Sequence, residues 1–161
     1  MPQEYGHKGH GQGSHAESLE ENKALVRETM LEMWNKGNLD VADKAFASDY
    51  VYHDPSTPQP ITGPQGLKEF VATYRKAFPN MHLTIEDQIA QGDRVVTRWM
   101  CTGTHKGELM GISPTGAEVT VIGLTISRIT RGTIIEDWTS SNTLDVMRQL
   151  GVMPPSAGRG I

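Results

Sequence analysis

The sequence predicts an α+β domain: a curved antiparallel sheet wrapped around N-terminal helices, forming a cone-shaped barrel with an internal cavity. Three observations carry this expectation. Apolar residues recur at helical spacing as far as Phe78, and from Met81 the period changes to two. The gaps between the later runs are short, which makes sequential strands antiparallel neighbours.

Residues 1–17 are polar and glycine-rich and read as a disordered leader, in which His7, His10 and His15 have no rigid metal-ligand spacing. Ser18 followed by Glu21 is a capping box, so the first helix is expected to start at Ser18 and stop at Gly37. A short second helix fits Leu39 to Ala47, followed by the β-prone stretch Tyr50 to His53 and a loop containing Pro55, Pro58 and Pro60, either a lid or a rim. Gly63 and Pro64 open a third helix through Phe78, with Leu67, Phe70, Val71, Tyr74 and Phe78 on its apolar stripe.

Strands are expected at His82–Gln88, Arg94–Thr104, Glu118–Ile129 and Thr133–Trp138, separated by turns at Gln91-Gly92-Asp93 and Thr130-Arg131-Gly132 and by a longer loop from Gly107 to Gly116. A last helix fits Thr143 to Leu150, ended by Gly151, with Pro154 and Pro155 beyond it and a loose tail from 154 to 161. The single domain thus spans 18–153.

Composition narrows the function. The 161 residues hold 15 Lys+Arg against 19 Asp+Glu, a formal charge of −4 without a run of either sign, which argues against a nucleic-acid partner or a polybasic membrane patch. The chain has one cysteine, Cys101, which excludes an internal disulfide and a thiolate cage and reads as a small buried hydrophobe in a cytoplasmic protein. There is no membrane-length apolar run and no phosphate-binding GxGxxG between strand and helix.

Several segments together resemble the SnoaL-like polyketide cyclases, also called predicted ester cyclases. They are Trp34-Asn-Lys-Gly-Asn38, Asp49-Tyr-Val-Tyr-His-Asp54, Gly103 to Gly116, the Arg128 to Trp138 hairpin and Met147-Arg-Gln-Leu-Gly151. The resemblance implies a nuclear-transport-factor-like cone and an intramolecular aldol ring closure that uses neither cofactor nor metal. It also implies an acidic catalyst just after Trp138, where this chain has Thr139.

Aldol chemistry needs a carboxylate base strengthened by burial, with donors for the enolate. Asp137 lies two residues before Thr139 and shares its strand face, as does Ile135, which the sequence favours inward. Asp137 is therefore the candidate base, with a cross-strand ion pair or a solvated face as the alternative. His53, beside Asp54, and His105, in phase with Trp99 and Cys101, are candidate acid/base partners; a loop-anchoring or surface role is the alternative for each. Only one of the sets Trp99, Cys101 and His105 or Arg98, Met100, Thr102 and Thr104 can face the cavity. If His53, His105 and Asp137 converged, they would also form a facial metal triad.

Candidate substrate-binding residues are Tyr52, Trp34, Tyr74, Trp99, Trp138 and Asn142, the last also a candidate N-cap of the final helix. The expected ligand is a small apolar or carbonyl-containing molecule, undergoing aldol-type cyclisation or isomerisation. A non-catalytic binding module is the alternative. An epoxide hydrolase using Arg98 and Asp137 lacks a second inward Asp. The third long strand alternates Thr120, Ile122, Leu124 and Ile126 with Val121, Gly123, Thr125 and Ser127, which leaves apolar residues for a homodimer interface.

Overall fold

The computed structural model describes residues 12–154, with side chains from Ser18 onward. Its first helix, α1 (Gln12–Trp34), begins before Ser18, so the Ser18–Glu21 pair sits inside the helix instead of capping it. The leader's residues 1–11 and the side chains of His7, His10 and His15 lie outside the described residues. The end of α1 was better marked. Gly37 adopts φ +70, and the Arg75 guanidinium donates to the Trp34 carbonyl, satisfying an acceptor that the helix terminus leaves open.

The expected second helix is shorter: a 3₁₀ turn (Leu39–Val41) runs into α2 (Ala42–Ala45), and β1 (Phe46–His53) starts before Tyr50. Phe46 takes extended backbone, which ends α2, and its ring packs against Tyr50, 4.5 Å between centroids. A two-residue strand, β2 (Ile61–Thr62), closes the proline loop against β1, and α3 (Gly63–Ala77) follows. Its stripe is as expected, with Leu67 and Val71 buried.

The remaining strands are β3 (His82–Gln91), β4 (Arg94–Thr104), β5 (Glu118–Thr130) and β6 (Thr133–Ser141), followed by α4 (Thr143–Gln149). They form a six-stranded curved sheet in the order β2-β1-β6-β5-β4-β3. From β3 to β6 the sheet is the expected antiparallel meander. Two features differ from expectation. β1 runs parallel to β6, since a long excursion through α3 separates them and the hairpin argument does not reach across it. Among the described residues the sheet is also open, with β2 and β3 at its two edges, so the cone is not a closed barrel.

One core cluster joins α1 and α3 to the sheet through Val26, Met33, Leu67, Val71, Val95 and Ile134. A second joins the end of α3 to the long loop and α4 through Phe78, Leu109, Val119 and Leu150. No helix among the described residues is long and apolar enough to cross a membrane.

Candidate active site

Between the two clusters, helices and sheet do not meet fully, and they enclose a cavity of about 170 Å³. Its walls come from α1 and α3 on one side and from the inward faces of β1, β4, β5 and β6 on the other. Four expected ligand-contacting residues, Trp34, Tyr52, Tyr74 and Trp99, line it. Phe70 holds three of the aromatic rings together, with centroids 6.1 Å from Trp34, 5.2 Å from Tyr52 and 4.9 Å from Tyr74. Of the two possible faces of β4, the one carrying Trp99 and Cys101 is inward. Burial pushes the Cys101 thiol up to about 11, so it is an uncharged wall group at neutral pH.

Asp137 lies in the cavity wall and is 7% exposed. It faces inward for a different reason from the one expected. Arg128 pairs with Glu136 and Ile129 with Ile134, so Ile135 is an extra residue on β6 that shifts the alternation. Ile134 therefore shares the buried face with Asp137, and Ile135 does not lie in the cavity wall. The Tyr50 hydroxyl donates to Oδ2 at 2.6 Å, while Oδ1 is buried without a partner among the described residues. Burial pushes the carboxyl up to about 6, against the opposing pull of the Ser127 and Tyr50 hydroxyls. Burial also holds Tyr50 well above the usual phenol range, with Asp137 adding to the effect, so Tyr50 remains a donor.

Thr139 is buried too, two residues along the same face. Trp99 Nε1 donates to Thr125 Oγ1 at 3.0 Å, and the Thr125 and Thr139 hydroxyls share a 2.8 Å hydrogen bond. The Tyr52 hydroxyl donates to Asp54 Oδ2 at 3.3 Å, and Asp54 is held by the backbone N–H and hydroxyl of Ser56. Burial raises Tyr52 strongly, leaving a second neutral donor near Asp137.

The two histidines do not join this group. His53 follows Tyr52 and so projects to the opposite face of β1, where Nε2 lies 2.7 Å from Glu136 Oε2 and the ring stacks on Trp138. Glu136 is also bound by Arg128 at 2.9 Å, and both interactions hold its carboxyl below the usual range. His105 is fully buried, but β4 has ended, and its ring packs on Phe78 and not in the cavity wall. Its Nδ1 accepts from the Thr115 backbone N–H at 3.1 Å, a bond that anchors the long loop.

Trp138 alternates outward from Asp137 and carries the Arg94 guanidinium 5.2 Å from its ring centroid. Asn142 stands outside this cavity: its Oδ1 accepts from the Ile122 N–H at 2.9 Å, and its side chain makes no capping bond to α4. Arg98 is on the outward face of β4, with β5 between it and β6, so it cannot work with Asp137. Among the described residues no cluster of three His, Cys, Asp or Glu side chains could hold a metal, and the imagined triad of His53, His105 and Asp137 does not assemble.

Sequence reasoning missed Tyr50, Thr125 and Ser127. Tyr50 shares a strand face with Tyr52, and Thr125 and Ser127 share one with Gly123, so alternation was a usable signal once the inward face was known.

A family model for the SnoaL-like polyketide cyclases matches residues 24–150. No curated protein sequence matches the chain. Among solved structures, the fold is similar to a proposed SnoaL-like polyketide cyclase from Jannaschia sp. CCS1, with a TM-score of 0.78 at 24% identity, covering 91% of this chain and 100% of that one. A proposed polyketide cyclase from Acidithiobacillus ferrooxidans gives 0.72 at 31% identity over 83% and 96% of the two chains. IdmH, a proposed polyketide cyclase from Streptomyces antibioticus, gives 0.70 at 30% identity over 81% and 98%. With its open cone and internal cavity, and with the family model matching most of its length, the chain belongs to the SnoaL-like polyketide cyclase family.

Proposed function

We propose that the protein is an acid/base enzyme acting on a small carbonyl compound, with Asp137 as the proton-transferring group. The observation that carries this reading is the enclosed Asp137 carboxyl in the cavity wall, held at Oδ2 by Tyr50 and buried at Oδ1 without a hydrogen-bond partner among the described residues. With its pKa near 6, the group is about nine-tenths ionised at pH 7 yet more basic than an aspartate in water.

In this mechanism Oδ1 removes a proton from carbon flanked by carbonyls, and the electron pair moves onto the carbonyl oxygen. A neutral hydroxyl, that of Thr139, stabilises that enolate while Thr125 donates to Thr139. The enolate carbon then attacks a second carbonyl of the same molecule. Protonated Asp137 returns its proton to the new alkoxide, completing an aldol-type cyclisation; returning it to another carbon instead gives isomerisation. No net oxidation occurs, so the chemistry needs no redox cofactor.

Deuterium exchange at C2 of a 3-oxo ester, followed by NMR, tests the proposal. Wild type is expected to accelerate exchange and Asp137→Asn to lose at least about 100-fold of that acceleration while still binding the ester. Binding without any acceleration by the wild type would establish the second reading, a non-catalytic ligand carrier. One observation favours that alternative: the family's acidic position is Thr139, engaged with Thr125.

We further infer a homodimer formed through the outward sheet face. Ile122, Leu124 and Ile126 are 53%, 48% and 37% exposed there, a continuous apolar row whose self-complementary partner is a second copy. A cytoplasmic setting is in keeping with the single thiol at Cys101.

A further inference from the structure

Beside the cavity lies a polar hollow that the chemistry assigned to Asp137 leaves unused. This second hollow has a volume of about 450 Å³ and adjoins the cavity, and Asp54, Ser56, Ser141 and Thr143 line both. Across that seam the lining changes from aromatic and aliphatic side chains to Ser140, Asn142, Asp145 and Arg148. Arg148 lies in the last turn of α4, within the Met147-Arg-Gln-Leu-Gly151 segment. Its Nε is buried and donates to no acceptor, and no ion pair engages it among the described residues.

The two acids of this hollow have other partners. Asp54 accepts from the Ser56 backbone N–H at 2.8 Å, the Ser56 hydroxyl at 2.7 Å and the Tyr52 hydroxyl at 3.3 Å. Asp145 is exposed and accepts from Gln149 Nε2 at 2.8 Å and Asn142 Nδ2 at 3.4 Å. Arg148 itself is half-buried and lines the hollow, so part of its guanidinium is open to a ligand, and the group that best matches a planar guanidinium fork is a carboxylate.

We propose that Arg148 is a substrate-recognition residue that binds a carboxylate at one end of the substrate while the apolar, carbonyl-bearing body lies in the inner cavity beside Asp137. The substrate class is therefore an amphipathic oxo acid. Only the carbonyl in that description rests on the acid/base reading; the carboxylate rests on Arg148 and the adjoining hollow. Asp54 and Asp145 sharpen the selection, because without the guanidinium they would repel a second anion from the same space.

The probes are 2-naphthylacetate and its primary amide, equal in shape and differing in charge, with binding measured by calorimetry. Wild type is expected to bind the acid at least about tenfold more tightly than the amide. Asp137→Asn retains that preference, whereas Arg148→Gln brings the ratio to one or below with amide affinity unchanged and a melting temperature no lower than that of wild type. Arg148→Lys, which keeps the charge without the fork, recovers part of the preference. Equal affinity of wild type for the two compounds, or a preference that survives Arg148→Gln, overturns the proposal. So does failure of both compounds to bind, since it removes the inner seat. A wild type that prefers the acid but accelerates no proton exchange refutes the acid/base reading alone.

Discussion

Tyr50 on β1 donates a 2.6 Å hydrogen bond to Oδ2 of Asp137 on the parallel strand β6, a contact between residues 87 apart in sequence. The bond points the carboxylate and favours its charged form, partly offsetting the effect of burial. Tyr50→Phe removes that donor and leaves the ring in place. We expect the acidic limb of kcat/KM to move to higher pH, together with a loss of about tenfold or more in kcat. A limb that stays put would show that Tyr50 does not tune the reacting group.

The Asp137 carboxyl also links folding to pH. Its pKa is raised on folding, so the native state holds the proton more tightly than the unfolded chain. The stability it contributes is therefore complete below about pH 4 and is lost as pH rises through about 6. Asp137→Asn removes this cost. At pH 7 the variant should be more stable than wild type by about 2 to 3 kcal/mol, a gain that vanishes near pH 4. Urea unfolding at both pH values checks this, and a destabilised variant at pH 7 would refute it.

Gly123 makes room for the cavity wall. A Cβ at that position would lie 2.5 Å from Trp99 Cζ2 and 2.8 Å from the Ser140 carbonyl oxygen. Gly123→Ala should therefore displace the indole, break its bond to Thr125 and cost about 1 to 3 kcal/mol. Thermal melting and indole fluorescence report the two effects; an unshifted emission maximum would count against displacement.

The apolar row on β5 is testable by charge. Leu124, 48% exposed and paired across the sheet with Arg98 and Ser140, should tolerate Leu124→Glu in the folded monomer. Light scattering is expected to give a dimer for wild type and a monomer for the variant. A wild-type monomer at tens of micromolar removes the dimer proposal.

Histidine roles separate the same way. His53→Asn breaks the contact with Glu136 on the outward face and leaves the Asp137 cavity intact. Proton-exchange rates should change by less than about threefold, since no reacting atom is touched. A loss comparable to that of Asp137→Asn would return His53 to the reaction.

The sequence by itself determined the helix stripe of α3, the bounds of β4 and the meander from β3 to β6. These are local properties: side-chain period and turn chemistry are written in consecutive residues. Alternation relates residues two apart, so it put Asp137 on the face of Thr139 and Trp99 on the face of Cys101, but it left open which face is inward. Tertiary structure alone decided the parallel pairing of β1 with β6, the extra residue at Ile135 and the partnership of Tyr50 with Asp137. It also sent His53 to Glu136, 83 residues away, and closed His105 against Phe78. Each of these depends on which distant strand supplies the neighbour, and a one-residue shift in register exchanges the buried and solvated faces. Local pattern therefore identified the chemical groups, while long-range pairing selected which of them share a cavity.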